Sequence, residues 1–130
     1  MKKIALLSIL ILVFPTTNFM YAADKGNVAV AASGKTAAAE VSSIAARSPY
    51  FLIFDGNGKL LEAVDNPYKA AKGGTGTSVV PFLAQKGATF VVAGEFGKNM
   101  IQAMEARGIG YLEFSGSAEA ALMKVVKARK

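Results

Sequence analysis

Hydrophobic and polar positions change rhythm several times along this chain, and each rhythm predicts an element. Residues 27–32 (NVAVAA) are short and β-branched at alternate positions, which predicts a first strand. Ser33-Gly34-Lys35 turns the chain. The small-residue run 37–46 (AAAEVSSIAA) then predicts a helix ended by Ser48-Pro49. Residues 50–55 (YFLIFD) are the most strand-like stretch, and Gly56-Asn57-Gly58 is a hairpin signal because these residues tolerate positive φ. Residues 59–65 (KLLEAVD) return as an antiparallel strand that Asn66-Pro67 breaks.

A loop over 68–76 (YKAAKGGTG) leads into an apolar helix over 77–86, closed by Gly87. Pro81 is tolerated only in a first turn, so the helix proper is expected to start near Ser78. Residues 89–93 (TFVVA) are wholly apolar apart from Thr89, as expected mid-sheet with both faces covered. After a second glycine-bounded loop, Gly94 to Gly97, residues 98–107 predict a helix burying Met100, Ile101, Ala103 and Met104, with Gly108 as its C-terminal cap. Residues 109–114 form the last strand. Ser117 caps a final helix whose stripe is Ala118, Ala121, Leu122, Val125 and Val126. The order β-α-β-β-α-β-α-β-α specifies an α/β class with three layers and a mixed sheet, in one domain.

The first segment follows a different rule. Lys2 and Lys3 precede an apolar run over 4–14 (IALLSILILVF), Pro15 to Asn18 break it, and Tyr21-Ala22-Ala23 lead to Asp24. This is the layout of a secretory signal peptide. An eleven-residue run at about 1.5 Å per residue cannot cross a hydrocarbon core of about 30 Å. Residues 1–23 are therefore expected to be the signal peptide and 24–130 a mature domain, periplasmic or secreted, with no stable membrane insertion after cleavage.

Composition narrows the chemistry. The 130 residues are 52% hydrophobic and 18% charged, enough for one well-buried core. The formal charge of +6 is local to the ends: setting aside Lys2, Lys3, Lys124, Lys127, Arg129 and Lys130, nine basic residues face nine acids. No basic face for nucleic acid is expected. The four C-terminal cations complement the negative end of the last helix dipole. Cysteine and histidine are absent, which removes disulfides, thiolate or imidazole metal sites, thiol catalysis and imidazole acid–base chemistry. The first strand has no carboxylate to begin a two-metal nuclease site, and Asp55 and Asp65 suit strand ends. No G-x-S-x-G elbow or Walker loop occurs. No enzymatic constellation is found.

The best candidate site is the loop Gly73, Gly74, Thr75, Gly76, with Thr77, opening a helix whose free N–H groups and positive dipole end favour an anion. The loop with Gly94, Gly97 and Asn99 is expected beside it, and Ser33, Gly34 and Arg47 would complete the rim at the carboxyl ends of strands. A phosphate, a carboxylate or an anionic cluster would fit equally well. The same glycines also serve a purely structural reading, as tight turns and close helix–sheet contacts.

Tyr50-Phe51, the Asp65-Asn66-Pro67 break, Gly73-Gly74-Thr75-Gly76 opening a helix, Val91-Val92-Ala93-Gly94, Gly97, and Ala106-Arg107-Gly108-Ile109 occur in an order that resembles one family over about residues 27–126. It is the dinitrogenase iron–molybdenum cofactor biosynthesis family, of the NifX and NafY type. The resemblance implies a ribonuclease-H-like α/β/α topology with a five-stranded mixed sheet, and binding of an iron–sulfur-type or iron–molybdenum-type metallocluster. The chain departs from the family in its export signal and in lacking any Cys or His ligand. The expectation is an exported non-catalytic domain binding a small anionic ligand or metallocluster. The alternative is a cofactor-free interaction or chaperone module for an exported metalloprotein, with a protein partner.

Overall fold

The computed structural model describes residues 26–129, so the expected signal segment lies outside the described residues. Five strands, β1 (Asn27–Ala32), β2 (Tyr50–Phe54), β3 (Leu60–Asp65), β4 (Ala88–Ala93) and β5 (Gly110–Glu113), form one sheet in the order β3-β2-β1-β4-β5. β2 runs antiparallel to β1 and β3, whereas β1, β4 and β5 are parallel. Three α-helices complete the fold: α1 (Thr75–Gln85), α2 (Lys98–Ala106) and α3 (Ala118–Ala128).

Alternation along the central strands assigns side chains to two cores. Ala29, Ala31, Phe51, Ile53, Val91 and Ala93 face α1 and α2, where Val79, Val80, Leu83, Met100 and Met104 are buried against them. Val28, Val30, Leu52, Phe54, Phe90 and Val92 face α3, meeting Ala118, Ala121, Leu122 and Val125. A sheet buried on both sides needs apolar residues at successive positions, which is why β1 and β4 read as continuous apolar runs. Each fully buried large side chain contributes about 1.5–3 kcal/mol of transfer free energy.

The hairpin forms as its residues require. Asp55 Oδ1 accepts from the N–H groups of Asn57 and Lys59, both at 2.9 Å, and Gly58 stands at φ 96°. Ser117 Oγ accepts from Ala120 N–H at 3.1 Å as the cap of α3, and Gly108 follows α2 at φ 72°.

Three expectations are corrected. Residues 37–46 are not helical: after β1 the chain runs extended through isolated bridges (Ala32 with Val41, Glu40 with Ser117, Ile44 with Glu95) into a 3₁₀ turn, Ala45–Arg47. Tertiary hydrogen bonds overrule the alanine propensity. Ser42 N–H donates to Ala31 O at 2.8 Å, Val41 N–H to Gly116 O at 2.8 Å, and Ala118 N–H to Ala39 O at 2.8 Å. The β-branched Val41 and Ile44 and the serines between them also favour this path. Second, α1 begins at Thr75 and carries Pro81 inside it. Its packed face, with Val79, Val80 and Leu83 at most 1% exposed, offsets the hydrogen bond that proline removes. Third, Arg129, grouped above with the C-terminal cations, is buried, and Nη1 donates to Gly26 O at 3.1 Å. No helix among the described residues is long and apolar enough to cross a membrane.

Candidate functional site

From β1 the chain moves to β2 on one side, and from β4 it moves to β5 on the other. The neighbouring C-terminal ends of β1 and β4 therefore open a crevice, the place where open α/β sheets take ligands. A cavity of ≈ 380 Å³ lies there, lined by Ile44, Ala46 and Arg47 from the segment after β1, Gly74, Thr75 and Gly76 at the start of α1, and Gly97, Lys98, Asn99 and Met100 at the start of α2. That volume falls within the roughly 300–1,000 Å³ usual for small-molecule sites.

The two helices present N-termini that no side chain caps, Gly74 and Gly97 being the N-cap residues. The first intrahelical bonds are Ser78 N–H to Gly74 O (3.2 Å) and Ile101 N–H to Gly97 O (3.0 Å). The N–H groups of Thr75, Gly76, Thr77, Lys98, Asn99 and Met100 thus have no acceptor among the described residues. Away from the cavity, α3 does have its serine cap. The two positive dipole ends reinforce each other at the crevice. Thr75 lines the cavity while only 8% exposed. Arg47 Nη1 donates to Ala71 O at 2.7 Å and Lys69 O at 3.4 Å, leaving further guanidinium donors for the cavity. Further along the same end of the sheet, the Lys35 and Lys69 ammonium groups lie 5.5 and 5.8 Å from the centre of the Tyr50 ring. The one ion pair among the described residues, Lys86–Glu62 at 3.7 Å, lies at the far end of α1. Arg47 and Lys98 therefore face the cavity with their charge uncompensated by any carboxylate within ion-pair distance.

Of the residues expected in the site, Arg47, Gly74, Thr75, Gly76, Gly97 and Asn99 are brought together. Their glycines differ in task. Gly74 at φ 67° and the neighbouring Gly73 at φ 121° make the turn into α1. A Cβ on Gly76 would stand 3.1 Å from Met100 N, so its small size sets the approach of α1 to α2. Gly97, at φ −73° with open space around it, faces the cavity free of packing duty. The others fall outside the lining. Gly73 only sets the turn. Thr77 Oγ1 donates to Gly74 O at 2.9 Å within its own helix. Gly94 packs on the backbone of Ser43. Ser33 and Gly34 follow the loop away, Ser33 N–H reaching Glu40 O at 3.0 Å and Gly34 lying against Ala39. The sequence reading missed Ile44 and Ala46, because it placed them in a helix. It also passed over Lys98, whose signal was its place directly after Gly97.

Every polar side chain on this lining except the Asn99 amide is solely a donor or a hydroxyl, with no carboxylate, thiol or imidazole. Among the described residues no group of three or more carboxylates could hold a metal ion. The site therefore fits a ligand whose surface is rich in acceptor atoms and negative charge. It does not fit one that demands protein bonds to its metals.

The fold is a three-layer α/β/α domain with the strand order and directions of ribonuclease-H-like proteins, and the crevice is a cavity at the carboxyl ends of its central strands. The chain belongs to the dinitrogenase iron–molybdenum cofactor family, whose sequence model matches residues 26–128. A Thermotoga protein assigned as NifB and solved by NMR is 32% identical, with a TM-score of 0.68 over 80% of this chain and 90% of that one. The apo form of the orange protein from Desulfovibrio gigas is 24% identical, with a TM-score of 0.74 over 82% of this chain and 91% of its own, and shows the same fold. A Methanocaldococcus jannaschii protein assigned as a dinitrogenase shares it at 11% identity and a TM-score of 0.53, over 82% and 92% of the two chains. No curated protein matches the sequence significantly.

Proposed function

We propose that the domain is an exported, non-catalytic carrier that takes an anionic metallocluster of the iron–sulfur or iron–molybdenum type as cargo. The cargo is held by hydrogen bonds and charge instead of bonds from protein to metal. The observation that carries this reading is the donor-rich cavity between two uncapped helix N-termini. Sulfide or oxo atoms on the surface of such a cluster accept hydrogen bonds, and backbone N–H groups, the Thr75 hydroxyl, Arg47 and Lys98 supply them. Membership of the cofactor family supports the choice of cargo. The lining, with Thr75 as its sole hydroxyl and no carboxylate or imidazole beside it, supports the non-catalytic reading. Export rests on the pattern of residues 1–23.

The test is elemental analysis with a visible spectrum of protein recovered anaerobically from its own host, together with the variant Gly97→Val. Wild type is expected to carry iron or molybdenum with sulfide-to-metal charge-transfer bands. Gly97→Val fills the cavity from a position compatible with an extended branched residue, and is expected to lose the metal while melting like wild type. A colourless, metal-free wild type would favour the second reading, a docking module for an exported metalloprotein. Ile44, 49% exposed at the cavity, is the observation favouring that alternative.

A further inference from the structure

Asn66, in the Asp65-Asn66-Pro67 break, lies outside the cavity, yet it is 1% exposed and fully hydrogen-bonded. Its Nδ2 donates to Ala46 O and to Ser48 O, each at 2.9 Å, and its Oδ1 accepts from Tyr68 N–H at 2.9 Å. Its own N–H donates to Pro49 O at 3.1 Å, and its carbonyl accepts from Lys69 N–H at 3.3 Å. All three polar hydrogen-bonding atoms or groups of one amide, carbonyl oxygen and both N–H, are thus used on two chain segments.

The two carbonyls that Asn66 holds belong to the residues on either side of Arg47. Ala46 O lies on the peptide plane that enters Arg47 and Ser48 O on the plane one residue beyond it. With the intervening plane held by Ser48 N–H donating to Ala45 O at 3.3 Å, the backbone around Arg47 is fixed on both sides, and with it the direction in which the side chain leaves the chain. The loop that Asn66 begins also supplies the acceptors for the guanidinium, Lys69 O and Ala71 O. Base and tip of the same side chain are therefore set by one short segment. Ser48 adds a second anchor below, its buried hydroxyl lying 2.6 Å from Tyr50 O and 3.2 Å from Ala32 O. Elsewhere an exposed arginine must lose rotamer freedom when it grips an anion. Here that ordering is already present.

We propose that Asn66 is the positioning residue for Arg47, holding its guanidinium in the cavity in readiness for an anionic ligand. The inference rests on the reading of the cavity as an anion cradle. Charge facing from the packed elements includes Lys98 on α2, and Lys69 on the loop itself. No acid lines the cavity.

The test is a double-mutant cycle on the full chain, with pyrophosphate as an acceptor-only probe, affinities read by calorimetry at low salt and folding checked by thermal melts. Arg47→Ala is expected to weaken binding about tenfold, as for loss of one charge-assisted contact. Asn66→Ala is expected to weaken it by a similar factor with the arginine still present. In the Arg47→Ala background, Asn66→Ala should change affinity by less than about twofold, because the group it acts through is gone. A merely structural Asn66 would cost the same factor in both backgrounds, and that result overturns the proposal. So does wild-type affinity in Asn66→Ala. If Asn66→Ala does not fold, Asn66→Ser, which keeps a small polar group, takes its place in the same cycle. Absence of any pyrophosphate binding by wild type overturns the cradle itself. Binding by wild type that Arg47→Ala weakens and Asn66→Ala does not sinks the positioning role alone.

Discussion

Replacing Gly94 by alanine adds one methyl group at a place with no room for it. Built on this backbone, the new Cβ would stand 2.7 Å from Ser43 Cα, 2.8 Å from Ser43 O and 3.1 Å from Ser42 O. These are main-chain atoms, so no rotamer change relieves the overlap. Nor can the segment simply move off: Gly94 N–H donates to Ser42 O at 2.8 Å, Ser42 N–H to Ala31 O at 2.8 Å, and Ala45 N–H to Glu95 O at 3.1 Å. The methyl must push apart a crossing held by three hydrogen bonds, and overpacking of this kind costs about 1–3 kcal/mol. For a domain of this size each kcal/mol moves the melting temperature by about 4–8 °C, so a fall of roughly 5–20 °C is expected. Gly97→Ala is the matched control, three residues along the same loop. Its φ of −73° suits any residue and nothing lies within 4 Å. A compatible glycine-to-alanine change leaves stability unaltered or raises it by about 0.4–1 kcal/mol through the unfolded chain. Thermal and urea melts followed by circular dichroism compare the three proteins. The reasoning fails if Gly94→Ala melts with wild type, or if Gly97→Ala loses as much as Gly94→Ala.

Other outcomes follow from local chemistry. The backbone N–H of Lys59, aided by those of Asn57 and Gly58 and by the Lys59 charge, holds the Asp55 carboxyl below its ordinary value. A depressed folded-state value stabilises above the unfolded value, about 3.9, and that stability is lost as pH falls through the folded one. Wild type should therefore melt above Asp55→Asn at neutral pH, and the gap should narrow in acid melts taken below the ordinary carboxylate value; a gap independent of pH would contradict the assignment. Ser117→Ala removes the side-chain cap of α3 and should cost about 1 kcal/mol in urea unfolding. Gly74→Ala keeps the cavity nearly open but forces a side chain into the φ of 67° that the turn into α1 requires, costing about 1–2 kcal/mol. Equal stability of Gly74→Ala and wild type would show that the turn relaxes.

Most of the fold was legible because its signals are local. The alternation in β1, the Asp55 to Gly58 turn and the stripe of α3 each report burial or backbone freedom within a few residues of themselves. Half of the candidate site was legible on the same terms: a glycine pair before an apolar helix says where N–H groups will point, whatever surrounds them. The other residues were placed by partners distant in the chain. Residues 37–46 read as a helix until Ala31, Gly94, Gly116 and Ala118 supply their backbone partners. Gly94 looked like a ligand contact until Ser43 occupied the space beside it.

The sequence by itself determined the five strands, the three later helices and their order, the two-sided burial of the sheet and the absence of soft or imidazole ligands, since composition and periodicity act one segment at a time. Only the tertiary structure decided which glycines face a cavity and which face backbone, that Asn66 grips the residues flanking Arg47, and that two uncapped helices meet at one crevice. Those outcomes depend on distances between segments twenty to sixty positions apart. The packing of sheet against helices sets such distances, and no local pattern encodes them.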